Sequence, residues 1–204
     1  MKKLILGTVL LLPLGSIMAA ESIRWDRVDV SYESVDRGRD KWTGFGLSAT
    51  NLLGENVFIV GSYTSVSDDL DTLFKDGEKD AYNTTIDSDI NTFSAGLGYR
   101  HSLFNTTDLF GVISYENKEY KLSIFNHSDS QSENGYGLKA GLRSLVTNKI
   151  ELTGSVGYEK IFDSSETELK VSALYHFTDQ FSIGLSYGKS DDVDSGTASV
   201  SWFF

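Results

Sequence analysis

In one segment after another, apolar residues of this chain recur at every second position, a period that suits an extended strand with one apolar and one polar face. Val28-Asp29-Val30-Ser31-Tyr32-Glu33 sets the pattern. It recurs in Phe45 to Thr50, Phe93 to Arg100, Tyr136 to Arg143, Ile150 to Tyr158, Leu169 to Phe177, Ile183 to Gly188 and Ala198 to Phe204. Weaker runs at Val57 to Ser65 and Leu109 to Tyr115 have consecutive apolar residues, so their facing stays open. About ten strands result, with eight as the alternative, each near the 9 to 11 residues that a tilted strand needs to cross a bilayer. The single proline, Pro13, precedes all of them, which suits unbroken ladders because proline lacks the N–H that a central strand donates.

Upstream of the strands, Met1-Lys2-Lys3 leads into an apolar run from Leu4 through Met18 and then Ala19-Ala20-Glu21. A positive end, a short apolar stretch and a small residue before the cut are the order of a secretory leader, so residues 1–20 are expected to be removed. The run is too short for a spanning helix, and no later stretch approaches the roughly 20 apolar residues that one needs. Any membrane crossing must then be made of strands, and residues 21–204 read as one domain. With no cysteine in the chain, lipid attachment at a cysteine is excluded. The whole chain carries 18 basic against 29 acidic residues, and without Lys2 and Lys3 the count is 16 against 29, or −13. Such a balance disfavours nucleic acid as a partner, since that depends on neutralising phosphates.

The polar face decides between a water-soluble sandwich and a membrane barrel. It consists largely of Gly and Ser, as at Gly96, Gly98, Gly137, Gly141, Ser182, Gly184, Ser186 and Gly188. Small residues fit inside a narrow closed barrel, whereas a solvated face would favour Lys, Glu and Thr. Connections alternate as well: short at Asn51 to Asn56, Ser102 to Thr107, Thr147 to Lys149 and Thr178 to Gln180, longer or more acidic between them. Short periplasmic turns and long surface loops are the habit of outer-membrane barrels, and the loops are read at Ser67 to Asp89 and Asn117 to Asn134 above all. Aromatic residues near strand ends, from Trp25, Tyr32 and Trp42 to Tyr187 and Trp202, are read as interfacial girdles.

At the C-terminus, Ala198-Val200-Trp202-Phe204 places apolar residues alternately before a terminal aromatic. The chain thereby resembles the small outer-membrane β-barrel proteins of Gram-negative bacteria. Gly96-Leu97-Gly98-Tyr99, Leu138 to Leu145 and Gly157-Tyr158-Glu159 are similar, more narrowly, to the porin-like barrels labelled sulfation-dependent quorum factor. The resemblance implies an all-β, antiparallel up-and-down transmembrane barrel in the cell outer membrane. It also implies outer-membrane lipid and lipopolysaccharide around it, and assembly by the barrel-assembly machinery and periplasmic chaperones, with Val200, Trp202 and Phe204 as the assembly signal. It brings no catalytic residues and no cofactor, and a monomer is expected.

Candidate chemistry is sparse. His101 and His127 adjoin serines, but the first falls at a periplasmic turn, the second in a long loop and His176 at a periplasmic strand end, so no His, Ser and acid are expected to converge. Asp68, Asp69, Asp71, Asp76, Glu78, Asp80, Asp87 and Asp89 crowd the second surface loop without the spacing of a calcium site and read as a solvated loop. Alternation instead directs Asp29, Arg100, Lys139, Arg143, Glu151, Glu159 and Lys170 into the lumen. In so narrow a barrel these charges are expected to pair and plug it, because unpaired charge away from water is costly. The functional expectation is a non-enzymatic surface protein, with a narrow channel for small solutes or ions as the alternative and an envelope-lipid enzyme as a second one. Isolated outer membranes should contain a band whose gel mobility changes on boiling; a soluble protein without that shift would overturn the membrane reading.

Overall fold

The computed structural model describes residues 23–38, 40–74, 82–124, 127–191 and 193–204, which are strands and tight connections apart from an irregular segment at 23–26 and the terminal Phe204. The leader expected at 1–20 lies outside the described residues. Ten antiparallel strands follow in order: β1 (Arg27–Arg37), β2 (Asp40–Leu52), β3 (Val57–Phe74), β4 (Tyr82–Phe104), β5 (Thr107–Ile124), β6 (His127–Thr147), β7 (Ile150–Ile161), β8 (Ser164–His176), β9 (Phe181–Ser190) and β10 (Val193–Phe203). Each pairs with its sequence neighbours, and β1 closes on β10 from Arg27 opposite Phe203 to Asp36 opposite Asp194. Closure matters because lipid offers no partner for an unpaired N–H or C=O.

Register fixes the faces. Tyr32, Phe45, Ile59, Leu97, Ile113, Leu138, Val156, Val171, Leu185 and Val200 all point outward and are exposed, forming the apolar band. Aromatic rings border it on two levels. Tyr32 meets Phe45 edge-on at 5.7 Å and Tyr136 lies 6.4 Å from Tyr158 on the upper level, while Phe177, Phe181, Trp202 and Phe204 mark the lower one. Two residues expected in these girdles are elsewhere: Trp25 is buried in the lumen and Trp42 lies on the inner register of β2.

A second correction concerns strand length. β1, β2 and β7 to β10 have 10 to 13 residues, whereas β3 to β6 have 18, 23, 18 and 21. The segments read as the second and third surface loops are largely paired backbone, from Ser67–Asp89 to Phe74–Tyr82 and from Asn117–Asn134 to Ile124–His127. These four strands therefore stand above the rest of the rim as a sheet. The loop reading failed because polarity inverts at the girdle. Below it Tyr115 and Tyr136 face out; above it Asn91, Asn117, Glu119, Ser132 and Asn134 face out, and Val66, Ile90, Tyr120 and Leu122 face in. Alternation continues one residue out of phase, as befits a sheet whose outer face meets water instead of lipid.

Outward polar side chains tie the projecting sheet together across strands. Tyr63 Oη donates to Asn91 Oδ1 at 3.3 Å, Asn91 Nδ2 to Glu119 Oε2 at 3.3 Å, and Asn117 Nδ2 to both Ser132 Oγ and Asn134 Oδ1 at 2.8 Å. This division predicts unequal tolerance. Leu185→Arg, in the middle of the apolar band, should cost about 2–4 kcal/mol of folding free energy, and Ser130→Arg, outward on the projecting sheet, close to nothing. Urea titration of the barrel refolded into lipid vesicles measures both, and equal costs would remove the assignment of the band.

Candidate functional site: the lumen and its periplasmic apolar layer

The seven charges named from the sequence all lie on strand faces that point inward, but they do not form one group. Near the periplasmic end, Arg143 and Glu151 on neighbouring strands make a forked pair: Nε to Oε1 at 2.6 Å and Nη2 to Oε2 at 3.1 Å. Both side chains are almost fully buried. A guanidinium suits this place because its planar fork satisfies both carboxylate oxygens at once. Its Nη2 also donates to the Arg24 carbonyl at 2.9 Å, and its plane lies 4.6 Å from the Trp25 ring.

Arg100 is part of a second cluster. It donates to Asp108 Oδ2 at 3.1 Å and to the Glu55 carbonyl at 2.8 Å. Asp108 also accepts from Ser102 Oγ at 2.8 Å and from the Trp25 indole at 2.8 Å. Trp25 thus joins the two clusters, and Trp25 and Asp108 are functional residues that sequence reasoning missed. The indole packs against Phe58 at 4.5 Å and Phe110 at 5.7 Å, with Ile23 and Leu145 completing a buried apolar layer. Residues 23–26 lie below β1, and this segment enters the barrel mouth rather than lying on its rim. Asp26 secures it by accepting from Asn51 Nδ2 at 3.1 Å and the Leu52 N–H at 2.6 Å.

Two glycines make room for this layer. A Cβ on Gly98 would stand 2.1 Å from the Phe58 ring, and one on Gly141 would stand 2.7 Å from the Phe110 ring. The signal was present in the consecutive apolar runs Val57 to Val60 and Leu109 to Ile113. Where apolar residues occupy both faces of a barrel strand, the lumen itself is apolar at that level.

Higher in the lumen, carboxylates are held mainly by hydroxyls of neighbouring strands. Asp29 accepts from Ser48 at 3.0 Å and Ser201 at 2.5 Å and lies 3.2 Å from Arg27. Glu33 is held by Ser31 and Thr197, Glu116 by Ser94 and Ser114, and Glu168 by Ser195. Glu159 pairs with Lys118 at 2.8 Å. Lys139 lies within electrostatic reach of Lys170, Glu168, Glu116 and Glu159.

The histidines require a correction. His101 faces outward on β4 and His127 begins β6 rather than lying in a loop. His176, against expectation, does meet a serine and an acid: Ser182 Oγ lies 2.6 Å from Nδ1, and Nε2 lies 3.7 Å from Glu151 Oε2. The hairpin joining β8 to β9 sets this geometry by placing His176 opposite Ser182. Ser182 has no exposed surface, and Glu151 is already held by Arg143. His176 and Glu151, but not Ser182, border a periplasmic cavity of about 310 Å³ lined also by Arg24, Lys149 and Asp179. Among the described residues no group of three or more His, Cys, Asp or Glu could hold a metal ion. Of the acidic surface cluster, Asp76, Glu78 and Asp80 lie outside the described residues.

Arg143→Ala should destabilise the barrel by about 3–5 kcal/mol by leaving Glu151 buried without its partner, and Arg143→Met combined with Glu151→Leu should recover most of that loss. Urea midpoints of the three proteins in lipid vesicles test this, and a double variant no better than the single one would show that the pair is not the determinant.

Comparison with known proteins agrees with the architecture. No curated protein matches the chain. Among solved structures, the NanC porin matches with a TM-score of 0.53 at 11% identity, over 87% of this chain and 100% of that one. The KdgM porin in complex with disordered oligogalacturonate matches at 0.50 and 12%, over 87% and 99%. Ail, the attachment invasion locus protein of Yersinia pestis, matches at 0.44 and 17%, over 89% and 99%. The profile described as outer membrane protein beta-barrel domain matches residues 7–188. With closed antiparallel topology, an outward apolar band and that match together, the chain belongs to the outer-membrane β-barrel protein family and is a protein of the outer membrane.

Proposed function

We propose that this protein is a non-enzymatic surface protein of the outer membrane, a closed barrel that presents the β3–β6 sheet to the exterior. The observation that carries the reading is the buried apolar layer at the periplasmic mouth. Trp25, Phe58, Phe110, Ile23 and Leu145 fill the periplasmic end of the lumen, and the Arg143–Glu151 fork braces it. A ten-strand barrel is narrow in any case, and open aqueous pores belong to barrels of about 16 strands. The meeting of Ser182 with His176 favours no catalytic reading, because a buried hydroxyl beside an already paired carboxylate offers a substrate no approach.

Several partners follow from the surface. The apolar band and the polar ring above Tyr63, Tyr115 and Tyr136 suit acyl chains below and lipopolysaccharide headgroups above. Val200, Trp202 and Phe204, all outward, suit recognition by the barrel-assembly machinery during biogenesis. Removal of residues 1–20 before assembly belongs to the same reading.

The competing reading, a narrow channel, draws on the charged middle of the lumen around Lys139, Lys170, Glu159 and Glu168. Planar-bilayer recording separates the two. The purified barrel should give no unitary conductance, and steady single-channel steps would establish the channel instead. Replacing residues 68–88 and 119–132 by tight turns should leave heat-modifiability intact while abolishing attachment of cells to extracellular proteins; unchanged attachment would defeat the surface role.

A further inference from the structure

Four strands stand above a rim that their neighbours do not reach, so the projecting sheet has two unpaired edges. β2 pairs with β3 only as far as Thr43 opposite Ser67, leaving Asp68–Phe74 unpaired on that side. β7 pairs with β6 only from Gly135 opposite Ile161, and the Phe162 N–H bonds the Asn134 carbonyl. Beyond that bond, among the described residues, no strand pairs with the outer side of His127–Glu133. This edge is regular: its pairing with β5 from Ile124–His127 to Asn117–Asn134 shows no register shift. It has no proline or lysine to blunt it, and the charges it does carry, Asp129 and Glu133 on the inward register, discourage any added strand but a cationic one.

Building on the surface role above, we infer that the β6 edge is a docking site for an extended, cationic polypeptide segment, which adds to the projecting sheet as a fifth strand. Such a segment gains main-chain hydrogen bonds from the edge, and the flanking side chains select it. On the inward register the edge offers Asp129, Gln131 and Glu133; on the outward register it offers Ser130 and Ser132. A strand with Lys or Arg at alternate positions and small polar residues between them matches this row. A second copy of the chain does not. Its own free edges carry Asp129 and Glu133 on β6 and Asp68 on β3, so edge-to-edge pairing sets acid against acid.

Phe162 marks the base of the site. It is 70% exposed at the β7–β8 turn, where its N–H closes the last bond to β6. Its φ of 49° is the one left-handed backbone among the described non-glycine residues. A bulky side chain held in that conformation and left in solvent is a local cost without an internal return, and such outliers gather where ligands are gripped. Phe162 would meet an apolar residue at the end of the docked strand.

The test uses the full barrel folded in detergent micelles, and a fluorescent synthetic peptide of alternating lysine and threonine with phenylalanine at either end. Anisotropy should show saturable binding, and the glutamate–threonine counterpart should not bind. N-methylation of one alternate set of peptide residues removes the N–H groups that face β6, and one of the two sets should weaken binding about tenfold or more, equivalent to about 1.4 kcal/mol. Phe162→Gly, which suits the left-handed backbone and so preserves folding, should weaken binding several-fold. Asp129→Lys with Glu133→Lys should transfer preference to the glutamate peptide. No saturable binding, indifference to N-methylation of both sets, or a dimer of the barrel formed through this edge would each overturn the inference. The surface role is judged separately, because attachment lost on trimming the projecting strands while the peptide fails to bind removes the edge site alone.

Discussion

Everything in this molecule depends on one constraint: within lipid, each backbone N–H and C=O needs a partner from the protein. The pairing of β1 with β10 removes the last free edge within the lipid and turns a ten-strand meander into a barrel. Closure at ten strands then dictates the interior. The lumen is too narrow for large side chains on every strand, so the inner face alternates between glycines that yield space and a few aromatics that take it, as Phe58 does over Gly98. Charges placed in so confined a space must find partners, which is why Arg143 and Glu151 meet through two hydrogen bonds and Asp29 is held by two serines.

The same constraint explains why the rim need not be level. Above the lipid, water satisfies an unpaired edge, so β3 to β6 can continue while β2 and β7 stop. What must change there is polarity. The outward face trades Tyr63, Tyr115 and Tyr136 for Asn91, Asn117, Glu119 and Asn134, and the inward face acquires Val66, Ile90, Tyr120 and Leu122. One continuous strand thus carries two opposite patterns, joined at the level of the tyrosine ring.

This phase change sets the limit of what could be read from the residues alone. Period-two counting yields the ten strands and the short turns, because both are local properties of the chain. It also yields a face for Arg100 or Glu151, but not the company each keeps, since Arg100 meets Asp108 across a hairpin and Arg143 reaches the carbonyl of Arg24 from the far end of the chain. The projecting halves of β3 to β6 escaped notice because an alternation that slips by one residue resembles a loop. Trp25 escaped because an aromatic just before the first strand looks like an interfacial anchor, and only the inward Phe58 and Phe110 show that the mouth of the barrel has an apolar interior to receive it.

Trp25 ties the two charged clusters of the periplasmic mouth to its apolar layer. Its indole N–H bonds Asp108, Arg143 lies over its ring, and it packs tilted on Phe58 and edge-to-face with Phe110, so the residue satisfies a carboxylate, a guanidinium and an apolar layer together. Withdrawing it would leave Asp108 short of a donor, Arg143 uncovered and two phenylalanine rings exposed to water, losses that add up in one direction. Above the rim, what is distinctive is the projecting sheet, and the chemistry that faces the exterior there is its polar outer surface, its unpaired edges and the aromatic ring of Phe162.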